Sequence, residues 1–96
     1  RALHETPAAV ICQNDEIAYH LLAEAKAMDL AVPEHLAAVS FDDSYYATAG
    51  STGITSLGHG AHSAGRQAGE IMLALLHGSP PPSTLLPWQL SSRESA

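Results

Sequence analysis

Apolar positions in this chain fall into short unbroken runs that alternate with longer stretches of helical period. Residues 8–12, Ala-Ala-Val-Ile-Cys, are apolar without interruption, which predicts a short strand buried on both faces. Gln13, Asn14 and Asp15 then make a polar turn, and the side-chain oxygen of Asp15 is suited to cap the helix that follows. From 16 to 29, Ile17, Leu21, Leu22, Ala25 and Met28 recur on one stripe while Glu24 and Lys26 lie off it, predicting an amphipathic helix. Pro33 closes that segment, because the residue before a proline avoids helical dihedral angles. Residues 36–41 read as a second buried strand, with Asp42, Asp43 and Ser44 at its carboxyl end.

The stretch 45–53 is rich in small residues and reads as a loop with at most one helical turn. A third, short strand is expected at 54–57, and Gly58-His59-Gly60 is a flexible crossing. The helix predicted for 61–77 has Ala64, Ala68, Ile71, Met72 and Leu75 on its apolar face. Gly65 and Gly69 let another backbone approach it closely. Gly78 stops this helix, the proline-rich segment 79–83 is a stiff connector, and 85–90 is a last strand. The order β-α-β-β-α-β predicts an α/β sheet with helical crossovers.

Composition narrows the function. The chain has 96 residues, 46% hydrophobic and 15% charged, an ordinary globular balance for one small domain. Its net charge is −6, and the basic residues Arg1, Lys26, Arg66 and Arg93 are scattered, so no stripe is available to neutralise a phosphate backbone. The single cysteine, Cys12, excludes an internal disulfide and a cysteine-based zinc cluster. No apolar run approaches the length of a membrane span.

Ligands of open α/β sheets bind beyond the carboxyl ends of the strands. Gln13-Asn14-Asp15 and Asp42-Asp43-Ser44 both fall there. Asn14 offers donors and an acceptor and Asp42 a charged acceptor, which suits a polyhydroxylated ligand; Asp15 has the competing role of helix cap. The pair Asp42-Asp43 does not suit hydrolysis, since adjacent strand residues point to opposite faces. His59 and His62 have a metal-compatible spacing but no third ligand. Tyr45, Tyr46 and Trp88 could stack on a sugar ring, although Trp88 sits in a strand pattern that favours core or partly covered surface. No nucleophile elbow, dinucleotide fingerprint or phosphate loop is present.

Residues 9–18, Ala-Val-Ile-Cys-Gln-Asn-Asp-Glu-Ile-Ala, resemble the strand–Asn-Asp–helix segment of the LacI/GalR repressors. So do residues 30–43, from Leu30-Ala31-Val32-Pro33-Glu34 to Phe41-Asp42-Asp43. Ile54-Thr55-Ser56-Leu57-Gly58-His59 is similar to that family's crossover strand, Gly65 to Gly69 to its last helix, and Leu85-Leu86-Pro87 through Arg93-Glu94-Ser95 to its ending. Ser40 stands where the family usually has Gly, and His35 where it has Asp. The variants around Tyr45 and His59 are more like the arabinose-type repressors.

The resemblance implies part of a type I periplasmic-binding-protein-like sensor, a two-lobe α/β sandwich that closes on its ligand. Residues 1–53 would belong to the second lobe, 54–60 to the crossover, 61–78 to a helix of the other lobe and 84–93 to the return strand, with the DNA-binding domain absent. It implies ligand contacts from Asn14, Asp42 and His59, with Gln13, Asp43 and Tyr45 close by, and neither metal, cofactor nor catalysis. The expected partners are a sugar effector and a second copy in a homodimer, with DNA reached only through another domain, in the cytoplasm. A periplasmic sugar-binding protein of a transporter is the alternative. Alone, the chain would pair strands with a second copy or fold its last helix back onto its own sheet.

Overall fold

Strand β1 (Ala8–Ile11) pairs in parallel with β2 (Leu36–Phe41), and β2 in parallel with β3 (Thr55–Gly58). The last strand, β4 (Gln89–Ser91), runs antiparallel beside β3. The sheet order is therefore β1-β2-β3-β4. This computed structural model describes residues 7–80 and 83–96; Arg1 and the Pro81-Pro82 part of the connector lie outside the described residues.

Helix α1 (Asp15–Ala27) carries the chain from β1 to β2, and the single turn α2 (Tyr46–Ala49) lies between β2 and β3. Both pack on one face of the sheet. Cys12, Ala18, Leu22, Ala38, Ala47 and Ile54 form the main buried cluster, and Ala25, Leu30 and Leu36 a smaller one beside it. Burial alternates along β2, with Leu36, Ala38 and Ser40 fully covered and their neighbours half-covered. The expectation of burial on both faces fails at β1, where Ile11 is 76% exposed. Continuous apolar runs mark both-face burial only when the second face is also covered.

The polar tail after β4 is built into the sheet. The Ala38 N–H donates to the Ser95 carbonyl at 2.8 Å, and the Ser95 hydroxyl donates back to the Ala38 carbonyl at 2.6 Å. The Thr55 N–H donates to the same hydroxyl at 2.8 Å, and the Ser95 N–H donates to Gly53 at 3.0 Å. Ser95 thus continues the β2 ladder where β3 has not yet begun, which satisfies backbone groups that would otherwise be orphaned.

Helix α3 (Ala61–Leu76) differs from the other two helices: it buries none of its residues. Its apolar stripe stands in solvent, with Leu76 at 71% exposure and Met72 and Leu75 more than half exposed. The helix does not fold back onto the sheet, and the molecule is elongated, 61 × 21 × 19 Å. Its radius of gyration of 17.8 Å compares with about 12.5 Å for a compact chain of this length. An apolar face left open by a helix with strong periodicity is a face built to meet another surface.

Candidate functional site

An open groove of about 290 Å³ lies at the carboxyl ends of β2 and β3, lined chiefly by Asp42, Asp43, Ser44, Gly58, His59 and Trp88. Its shape begins with the backbone. The Asp42 N–H donates to the Leu57 carbonyl at 2.7 Å, extending the β2–β3 pairing one residue beyond the strand. The chain then turns sharply, with Asp42 at φ 104° and Asp43 at φ 53°, a region that L side chains enter at a cost. Directly opposite is Gly58, where a Cβ would lie 2.6 Å from the Asp42 carbonyl oxygen and 2.9 Å from Asp43 Cβ. Gly58→Ala is therefore expected to push the Asp42–Asp43 turn off β3 and to lower stability by about 1–3 kcal/mol. A denaturant unfolding curve of that variant superimposing on wild type would contradict this packing.

The two neighbouring aspartates do different things. Asp43 is committed: Arg93 Nη1 lies 2.8 Å from its Oδ1 and the Ser91 hydroxyl donates to its Oδ2 at 2.9 Å. The same Arg93 guanidinium donates to the Ile54 carbonyl at 2.8 Å. Asp43 thereby ties the turn to β4. Asp42 is exposed, and its carboxylate has no partner among the described residues. It is the free charged acceptor of the groove.

Under the turn lies a buried carboxylate that the sequence reading assigned to the wrong task. Asn14, not Asp15, caps α1: its backbone is extended (φ −151°, ψ 171°) and its Oδ1 accepts from the Ile17 N–H at 2.9 Å. Asp15 is the first helical residue and is fully buried. Its Oδ1 accepts from the hydroxyls of Ser40 and, at 2.6 Å, Ser56. Its Oδ2 accepts from the Ser44 N–H, and the Ser56 oxygen in turn accepts from the Asp43 N–H at 2.9 Å. Burial pushes the Asp15 carboxyl up, but the donors from Ser40, Ser56 and Ser44 outweigh it and hold it below the usual carboxylate range. One carboxylate thus joins the start of α1, the ends of β2 and β3, and the turn that carries Asp42.

A signal for this network was present in the sequence. Ser40 has the parity of Leu36 and Ala38, the core face of β2, and a buried hydroxyl needs a partner. Arg93 offered no such local signal, because its partners Asp43 and Ile54 are distant in sequence.

His59 follows β3 directly. Its Nδ1 is 3.1 Å from the Leu86 carbonyl oxygen, and its ring lies on Trp88 with centroids 3.8 Å apart at 35°. Trp88, 53% exposed, also meets the edge of Phe41 at 5.8 Å. Of the residues singled out in the sequence, the structure brings Asp42, Asp43 and His59 together. Asn14 stands at the head of α1, Gln13 is exposed beside it, and Tyr45 points to solvent against Tyr46; none of these three lines the groove. Among the described residues, no group of three His, Cys, Asp or Glu side chains could hold a metal ion. A larger cavity of about 600 Å³ lies at the other end of α1, between Leu22, Lys26, Leu30, Val32 and Ile54, and none of the residues singled out for binding lines it.

The whole chain, residues 1–96, matches the family described as periplasmic binding protein-like domain. It is 36% identical over 76 residues to the arabinose metabolism transcriptional repressor of Geobacillus stearothermophilus, covering 79% of this chain and 21% of that protein. The fold is that of the transcription regulator GntR from Chromobacterium violaceum, with a TM-score of 0.83 at 31% identity over 91% of this chain and 33% of that one. It is equally similar to a LacI family transcriptional regulator from Arthrobacter sp. FB24 in complex with lactose: TM-score 0.83, 25% identity, 96% of this chain and 36% of the other. The chain thus spans about a fifth of the length of the curated repressor it matches and about a third of the solved regulators.

Proposed function

Because the chain belongs to the periplasmic binding protein-like domain family, we propose that it is the effector-sensing segment of a bacterial transcription regulator of the LacI type. A sugar bound in the groove would draw two lobes together and so set the affinity of a separate domain for DNA. The observation that carries this reading is Asp42: an unpaired carboxylate, held in a strained backbone at the carboxyl ends of parallel strands, beside His59. Strain persists at positions where the surroundings over-determine it, and these cluster at binding sites. Asp42 and His59 contribute directly; Asn14, at the head of α1 and outside the groove's lining, would reach the ligand by its Nδ2 group, which has no partner among the described residues. Gln13, Asp43 and Tyr45 belong to the surroundings. With Asp43 engaged by Arg93, the aspartates do not act as a catalytic pair, and binding is the chemistry that remains.

The names of the relatives support this reading over a transport role, since those proteins are repressors and regulators. The exposed apolar stripe of α3 supports assigning 61–78 to the other lobe. That the relatives are transcription regulators supports a cytoplasmic location. A homodimer completes the proposal, and light scattering on the full-length protein should give twice the single-chain mass.

The test is thermal unfolding of the full-length protein with arabinose, xylose, ribose, glucose, galactose and lactose in turn. A ligand that binds only the folded state stabilises it by about 2.7 kcal/mol at 100 times its dissociation constant. One or two of these sugars are expected to raise Tm by several degrees. A flat response across the panel would sink the sugar-sensing reading while leaving the fold untouched.

A further inference from the structure

We propose that Trp88 and the Leu86 carbonyl hold His59 in one tautomer and one ring orientation, so that it serves the groove as a hydrogen-bond acceptor. Trp88 is then a positioning residue for ligand recognition. This rests on the groove being the effector site.

The tautomer follows from donor chemistry. A carbonyl oxygen can only accept, so the Nδ1 of His59, 3.1 Å from the Leu86 oxygen, carries the proton. In the neutral ring Nε2 is left with its lone pair, and it has no partner among the described residues. Nothing in that hydrogen bond alone stops the ring from rotating about it. The stacked indole does, lying 3.8 Å from the imidazole centroid, and the edge contact with Phe41 braces Trp88 in turn. Leu86 and Trp88 both come from the return segment that leads into β4, so the ring of His59 is clamped by one short piece of chain.

The consequence is chemical. Asp42 and His59 line the same groove, and each presents an acceptor. The ligand that fits must bring a donor to each, as the adjacent hydroxyls of a sugar do. A group that can only accept would leave both unpaired on leaving water.

Two measurements test this. Long-range proton–nitrogen NMR on the labelled chain at pH about 8.5, above the ordinary imidazole range, reads the His59 tautomer without any ligand. The Nδ1–H form is expected in wild type, with a mixture dominated by Nε2–H in Trp88→Leu. Finding Nε2–H in wild type, or no change in the variant, overturns the proposal. The second measurement is calorimetric titration of the full-length protein with whichever sugar of the panel raises Tm most. Trp88→Leu and His59→Ala should each weaken binding about 10-fold, Trp88→Phe less than about 3-fold, and the Leu/Ala double variant no more than His59→Ala alone. An additive, roughly 100-fold loss means Trp88 acts independently of His59 and overturns the positioning role. If no sugar binds, the sensor reading fails, and the tautomer measurement still decides this one.

Discussion

Asp15→Ala is expected to remove about 3–5 kcal/mol of folding stability, the largest effect of any single substitution on this chain. The carboxylate is fully buried and accepts from the Ser40 hydroxyl, the Ser56 hydroxyl and the Ser44 N–H. Each donor left unpaired in the interior costs about 1–3 kcal/mol, and hydroxyl rotation recovers only part of that. Against a total of about 5–14 kcal/mol for a domain of this size, that is a large share of the stability. Asp15→Asn keeps the shape but turns an acceptor into an amide donor facing other donors, and should cost about 2 kcal/mol. Urea unfolding followed by circular dichroism distinguishes these values. A loss under 1 kcal/mol for the alanine variant would mean the serines find other partners and the network is incidental.

The same carboxylate sets a pH dependence of definite sign. Its folded-state pKa is depressed below the ordinary value, so the folded protein holds the charged form more tightly than the unfolded chain does. That stability is complete above the unfolded pKa of about 3.9 and is lost as pH falls through the depressed folded value. Wild type should therefore lose stability on acidification below about pH 4 more steeply than Asp15→Asn, which has no proton to take up at this site. Parallel acid unfolding curves for the two would contradict the assignment.

Asp42→Gly is expected to do two opposite things. At φ 104° an aspartate is strained and a glycine is not, so folding stability should rise by about 0.5–1 kcal/mol. Sugar affinity should fall about 100-fold, because a charge-assisted hydrogen bond to a ligand hydroxyl is worth about 1.5–3 kcal/mol. Asp42→Asn separates the two effects: it retains the backbone strain and a weaker acceptor, so stability stays near wild type and affinity falls about 10-fold. Thermal melts with and without the sugar report both quantities in one experiment. A destabilised glycine variant would show that Asp42 is not strained, and an unchanged sugar response would remove it from the site.

These two substitutions also mark where sequence reasoning reached and where it stopped. The strands and both long helices were legible because each is a local pattern. An apolar run, a 3.6-residue stripe and a proline stop need nothing beyond their neighbours in the chain. The first helix begins at Asp15 rather than Glu16, whereas the last strand is Gln89–Ser91, overlapping the expected 85–90 only at Gln89 and Leu90. Of the two polar clusters expected at the carboxyl edge of the sheet, Asp42-Asp43-Ser44 lines the groove and Gln13-Asn14-Asp15 does not.

The division of labour within the groove was decided only in three dimensions. Asp42 and Asp43 are adjacent and chemically identical, yet Arg93 and Ser91, 50 and 48 residues further on than each one's partner Asp43, claim one and leave the other free. Asp15 was the expected cap on local evidence; Asn14 holds that position instead, while Ser40 and Ser56 arrive from two strands to occupy Asp15. His59 gains its tautomer from the Leu86 carbonyl and its orientation from Trp88. Local composition thus determined which elements form and where a ligand could sit. Tertiary structure decided which polar groups are spent on holding the fold, because a buried donor or acceptor takes whatever partner the folded chain brings to it, and only those left over can meet a ligand.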